Sequence, residues 1–319
     1  MKNTFISAAI LSLLFISCKE DFNPLGEYSE RYSLNCVIKV DTSFQVATVT
    51  QSYLGQTTDP FENTQDPFVD FVYIRMWYKG EVYIFNDSSI TRADKSRYNT
   101  DIKFYYINNL NPQPGNDLEI EALLPNGRRL KSVTRIPARA SKKYGSFENK
   151  IPPEIGDIMH LQWTSDETNL VYHPRLYIIY NKTENGVQYR KSVPVPLEYY
   201  KKGGEEIPIY PNPSATPYVN IKMETINKLM KSISDGDEEK RHYEFMYCIL
   251  EVITYDKNLS LYNSSSNTVL DDYSIKLDET DYTNITGGFG VFGSLVKSTF
   301  IIKFNTPYLE SFGYRNGFE

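Results

Sequence analysis

Histidine, cysteine and tryptophan are nearly absent from this sequence. In 319 residues there are three histidines (His160, His173, His242), three cysteines (Cys18, Cys36, Cys248) and two tryptophans. Nitrogen and sulfur ligands this few, with no two at ligand spacing, argue against a zinc or haem protein and against a disulfide-stapled miniature. No metal and no cofactor is therefore expected. Basic residues are in the minority too: 34 Lys and Arg against 40 Asp and Glu give a formal charge of −6. That balance speaks against a nucleic-acid partner. No G-x-S-x-G elbow, H-E-x-x-H helix or C-x-x-C pair occurs, and each histidine stands alone, so no catalytic residue is assigned and the chain is expected not to be an enzyme. Repeats at solenoid period are also missing. What is abundant is tyrosine, at 26, with 17 phenylalanines. With alanine scarce, that composition favours strands over helices.

The one long apolar run lies at the N-terminus. Lys2 precedes Phe5 to Ile16, a stretch too short to span a bilayer. It ends Phe15-Ile16-Ser17-Cys18, the small-residue-then-cysteine pattern of a bacterial lipoprotein leader. Residues 1–17 then read as the signal peptide, Cys18 as the lipidated first mature residue and 18–27 as a tether. Lys2 is the one charged residue removed, so the formal charge moves from −6 to −7. Lys19, Glu20 and Asp21 follow directly, and a lysine with two acids here resembles the export tag of Bacteroidota surface lipoproteins. The resemblance implies a lipid-anchored protein on the outer face of the outer membrane.

Beyond Cys36 the pattern is strand after strand. Period-two alternation marks Ser33 to Val40, Phe44 to Tyr53, Val69 to Tyr78, Glu81 to Phe85 and Ile102 to Ile107. Lys79-Gly80 and Asn126-Gly127 read as hairpin turns, the second between Asp117–Leu124 and Arg128–Ile136. This spacing predicts a β-sandwich over 28–140. Residues 138–153 read as a linker. A second sandwich, 141–319, opens with Ile158 to Trp163 and Arg175 to Asn181, which look like the B and C strands of a fibronectin type III domain. Gly203 to Asn220, with Pro208, Pro211, Pro213 and Pro217, reads as an irregular loop. Ile221 to Ser232 is the single short helix expected, and Glu244 to Tyr255 and Ser298 to Phe304 read as strands. The fold class is thus all-β, two immunoglobulin- or fibronectin III-like sandwiches with one helix.

Gly288-Phe289-Gly290-Val291-Phe292-Gly293 is a literal G-x-G-x-x-G, with Glu310 twenty residues after Gly290. A dinucleotide site needs a strand before the glycines and a helix after them. Here a β-branched strand follows and 26 residues remain after Gly293, so the nucleotide reading fails. The better use is structural: glycines let backbone pass close to a core wall while Phe289 and Phe292 fill it. Asp59-Pro60-Phe61, Asp66-Pro67-Phe68 and the acidic run Asp235 to Glu239 read as solvated turns rather than calcium loops. Cys36 and Cys248 fall in different sandwiches and read as free thiols. Tyr199, Tyr200, Tyr210 and Tyr218 are candidates for stacking on sugars or anchoring a protein.

Asn284 and Ile285, followed by Gly288, Phe289, Gly290, Phe292 and Gly293, resemble the C-terminal signature of the Bacteroidota lipoprotein family catalogued as domain of unknown function 4249. Leu118 to Pro137 and Trp163 with its following strand agree, and Gly287 stands where the family more often has Asn. The resemblance implies a β-sandwich fold and a companion of TonB-dependent outer-membrane transporters, with no activity attached. The resulting expectation is a non-catalytic surface lipoprotein, an accessory to such a transporter or another outer-membrane β-barrel complex, its ligand unnamed. The alternative is a stand-alone glycan- or peptide-binding module.

Overall fold

A computed structural model describes residues 29–52, 63–266 and 282–318. The leader 1–17, Cys18, Lys19, Glu20, Asp21, the rest of the tether and Asp59-Pro60-Phe61 lie outside the described residues. In chain order the first strands are β1 (Tyr32–Lys39), β2 (Gln45–Gln51), β3 (Tyr73–Tyr78), β4 (Glu81–Ile84), β5 (Asn86–Ile90), β6 (Ile102–Ile107), β7 (Asp117–Leu123) and β8 (Arg129–Arg135). Next come β9 (Ser141–Phe147), β10 (Lys150–Ile151), β11 (Ile158–Thr164), β12 (Tyr172–Glu184), β13 (Val187–Val195), β14 (Glu198–Lys202), β15 (Glu205–Ile209) and β16 (Tyr218–Lys222). The chain continues through α1 (Met223–Ile233), a 3-10 turn (Lys240–His242), β17 (Tyr243–Tyr255), α2 (Lys257–Ser266), β18 (Phe292–Phe304), α3 (Thr306–Glu310) and β19 (Arg315–Asn316). The architecture is all-β and sandwich-like.

Alternation decides which side of each strand is buried. Leu34, Cys36 and Ile38 of β1 face Ile74 and Met76 of β3 and Leu118, Ile120 and Ala122 of β7 across one core. Its walls are the β18-β1-β2-β6-β5 part of a ten-stranded sheet and the four-stranded sheet β4-β3-β7-β8. A second core gathers Ile178, Phe245, Cys248, Leu250 and Ile302 from the same large sheet. Opposite them stand Met159, Leu161, Trp163 and Ile221 from the sheet β16-β11-β9. α1 seals this core with Met223, Ile226, Leu229 and Met230, while Glu224 in its first turn and Lys231 in its last suit the helix dipole. Trp163 is 1% exposed and meets the Tyr172 ring edge-on at 5.6 Å.

One strand belongs to both cores. β18 pairs antiparallel with β17 along Leu295 to Ile302, and parallel with β1 along Phe292 to Leu295. Phe292 and Val296 enter the first core; Ile302 and Phe304 enter the second. β18 thus starts at Phe292, earlier than the Ser298 expected from sequence.

Three other expectations are corrected. The segment read as a linker carries β9 and β10, whose outward Lys142, Lys143 and Tyr144 hide an edge strand from any alternation search. The proline-rich stretch read as irregular holds β15, paired with β14 around Gly203-Gly204, and the first residues of β16. Both glycines have positive φ, +62° and +91°, as a two-residue hairpin turn requires. Besides α1, the helix expected from sequence, α2 and α3 are present; α2 (KNLSLYNSSS) has no clear apolar stripe to announce it.

Candidate functional site

The signature segment is a seam. Phe289 donates its N–H to Tyr32 O at 2.8 Å, Leu34 donates to Phe289 O at 2.9 Å, and Cys36 donates to Val291 O at 2.9 Å. Residues 289–291 therefore lengthen the parallel β1–β18 pairing. Asn284 closes a loop on itself: its amide donates to Phe292 O at 2.7 Å and its carbonyl oxygen accepts the Phe292 N–H at 2.9 Å. Its backbone carbonyl accepts the Ser132 hydroxyl at 2.8 Å, and Ile285 is buried in the first core.

Three glycines here are sterically compulsory, and the first is Gly287, at φ +88°, whose Cβ would sit 2.3 Å from Arg129 O. A Cβ on Gly288 would sit 2.5 Å from Tyr32 O, and one on Gly290, at φ +104°, would sit 2.2 Å from Leu34 O. Gly293 makes room for a carboxylate, since its Cβ would lie 3.2 Å from Asp256 Oδ1. The segment leads into a strand and lies flat on β1, which is no phosphate cradle. Of the two rings, Phe292 is buried, as expected. Phe289 is 41% exposed with the Arg31 guanidinium 5.4 Å from its centroid, and so does not fill the core.

Beside Phe289 opens a cleft of about 720 Å³. Arg31, Asn35, Gln51, Tyr262 and Tyr282 share its walls with Phe289. Asn35 already serves the seam by accepting the Val291 N–H at 3.1 Å, and the Tyr282 hydroxyl donates to Asn258 Oδ1 at 2.9 Å. Flat rings beside amides are groups that sugars and peptides use.

Sequence reasoning missed Asp256. It is 1% exposed at the end of β17. Its Oδ2 accepts the Ser294 N–H at 2.6 Å, the Ser294 hydroxyl at 3.0 Å and the Thr134 hydroxyl of β8. Its Oδ1 accepts the Leu259 N–H at 2.7 Å, capping α2. Burial pushes the carboxyl upward, partly offset by these donors. An Asp followed by a polar ten-residue stretch is a legible cap signal, but nothing local shows that β8 and β18 converge on it.

The second missed feature is the outer face of the sheet β4-β3-β7-β8. Glu121 of β7 stands opposite Arg75 of β3 and Lys131 of β8 in register. Its side chain is 4% exposed beneath Arg75 at 2.5 Å, Arg129 at 2.8 Å and Lys131 at 2.7 Å. Those three cations hold its carboxyl down at about 2. Arg75 also lies between two rings, 5.7 Å from Tyr73 and 5.0 Å from Trp77. Around this clamp stand exposed apolar side chains: Val133 at 65%, Val82 at 51%, Ile84 at 50% and Tyr73 at 44%.

The remaining candidates are scattered. His160 Nδ1 is 3.0 Å from Asn220 Oδ1, His242 pairs with Glu239 at 2.9 Å, and His173 lies on β12 beside a small cleft with Arg175 and Tyr210. Asp66 accepts from Arg92 at 2.9 Å and from the Phe68 N–H at 3.1 Å, so it pins its loop. Asp237 accepts the Tyr243 hydroxyl at 2.9 Å. Cys36 and Cys248 are buried free thiols, one in each core. Tyr200, Tyr210 and Tyr218 are exposed, whereas Tyr199 lies under Lys228, 4.3 Å from its ring. No protein-family model matches the chain, and no curated protein matches it.

Proposed function

We propose that this chain is a non-catalytic surface lipoprotein of the outer membrane, anchored through Cys18, that serves as an accessory subunit of a TonB-dependent transporter or another outer-membrane β-barrel complex. The observation that carries the reading is how the chain joins the folded body behind the tether. Glu30 O accepts Arg128 Nη1 at 3.2 Å, Arg31 donates its N–H to Ser52 Oγ at 2.9 Å, and the Tyr32 hydroxyl accepts the Asn126 amide at 3.0 Å. The first strand is thus fastened to the β7–β8 turn about a dozen residues after Cys18. A chain of that length reaches at most roughly 40 Å, so the body stays close to the bilayer. Confinement of this kind raises the local concentration of a membrane partner, and a modest interface suffices. The test is recovery of the lipidated, tagged protein from native outer membranes in mild detergent; a stoichiometric β-barrel is expected, and recovery of the lipoprotein alone across several detergents overturns the reading.

The second reading, a stand-alone glycan- or peptide-binding module, is favoured by the cleft beside Phe289. It predicts that a soluble, lipid-free chain binds a polysaccharide or peptide and loses it on Phe289→Ala. Binding that survives the substitution counts against that site.

A further inference from the structure

We infer that the outer face of the sheet β4-β3-β7-β8 is the docking surface for the partner protein, and that the matching partner surface is apolar with acidic groups at its edge. The inference rests on the accessory reading above and names the face that reading leaves open. Its first support is composition. Three strand registers lay out a grid in which Ile84, Arg75, Glu121 and Lys131 form one row. Val82, Trp77, Glu119 and Val133 form the next. Exposed β-branched residues on the outer side of a sandwich, next to tryptophan, tyrosine and arginine, are the makings of an interface centre rather than of a solvated sheet.

The second support is rigidity. Arg75 is held at once by Glu121 and by the rings of Tyr73 and Trp77. A side chain fixed this way loses little freedom on binding. The third is charge. The chain as a whole is acidic, at −6, yet Arg75, Arg129 and Lys131 share the single buried carboxylate of Glu121. The same registers add Arg135, Glu119 and Asp117, so the face carries four cations against three carboxylates, a net +1, with Arg128 beside it at the turn. Acidic groups on the partner would meet it favourably and be steered to it.

Position is the fourth support. The row Tyr73, Leu123, Arg129 borders the turn to which Glu30 and Tyr32 are fastened. One end of the face therefore sits where the tether joins the body. A lipid surface is the lesser candidate. Membrane-inserting side chains penetrate past the headgroups, whereas Val82 and Val133 stand in the same sheet rows as the carboxylate-bearing Glu119, which insertion would bury.

The experiment compares lipidated wild type with the double variant Val82→Glu, Val133→Glu and with the control Tyr144→Glu, whose side chain is fully exposed on β9. All three are extracted from native outer membranes in mild detergent after their thermal melts are shown to agree. The β-barrel recovered with wild type and control should fall about tenfold or more with the double variant, because new acids face an acidic, apolar surface. Recovery with wild type should also fall as salt is raised. Unchanged recovery with the double variant overturns the docking face while leaving the accessory reading in place. No barrel with wild type overturns both. A lipid-free chain is also mixed with vesicles of phosphatidylcholine and phosphatidylglycerol. Binding that the double variant abolishes assigns the face to lipid and overturns the inference.

Discussion

The carboxylate of Asp256 accepts the backbone N–H of Ser294 at 2.6 Å, and this contact joins the end of β17 to β18 between Phe292 and Val296, the two residues β18 gives to the first core. Thr134 of β8 and Leu259 of α2 donate to the same carboxylate. Truncation to Ala strands three buried donors and a helix cap. Asp256→Ala should cost about 3–4 kcal/mol, and Asp256→Asn less, since its carbonyl keeps part of the set. Urea unfolding of the lipid-free chain measures both; a loss below about 1 kcal/mol for Ala contradicts the role.

Acid should act on the two buried carboxylates in opposite senses. Glu121 falls from 4.5 to about 2 on folding. Its clamp contributes fully above about 4.5, and the contribution is lost as pH drops toward 2. The partners are a third to a half exposed, so the contribution is on the order of 1–3 kcal/mol rather than the full linkage value. Asp256 is raised from 3.8, so its term favours the folded state increasingly as pH falls through that raised value. Stability against pH for Glu121→Gln should lack the acid loss between about 4.5 and 2; an unaltered profile removes the clamp from the account.

Glycines in this fold are not equivalent. Gly290→Ala would drive a Cβ into Leu34 O at 2.2 Å with φ at +104°. It should cost more than about 3 kcal/mol or prevent folding. Gly127→Ala, at φ +83° but with nothing within 4 Å, should cost only the backbone strain, about 1–2 kcal/mol. Parallel melts of the two variants give the comparison, and equal losses would show that close approach to β1 does not matter.

Both thiols should be silent in the folded state. Burial pushes Cys36 up to about 12 and Cys248 well above its ordinary value, and no thiolate is present near neutrality. In a lipid-free chain lacking Cys18, a thiol reagent should label neither until denaturant is added, then label both. Fast labelling of the native chain contradicts the buried placement.

The individual strands were largely legible. Ile102 to Ile107 is β6 residue for residue, and the β-branched run Glu244 to Tyr255 is β17 within one residue. Alternation carries that information locally. Two further hairpin turns carry a local signal: Asn185-Gly186 between β12 and β13, and Gly203-Gly204 between β14 and β15, all four residues with positive φ. The β1–β18 pairing was out of reach, because Cys36 and Phe292 are far apart in sequence and parallel partners share no turn. The Glu121 clamp is hidden for the same reason: Arg75, Glu121 and Lys131 become neighbours only once two registers are known.

The most direct test of the account is the native mass of the lipidated protein released from outer membranes in mild detergent. A discrete complex of the 36.9 kDa chain, less its leader, with one large β-barrel is predicted. A lone lipoprotein at its own mass, in every detergent tried, contradicts the accessory role.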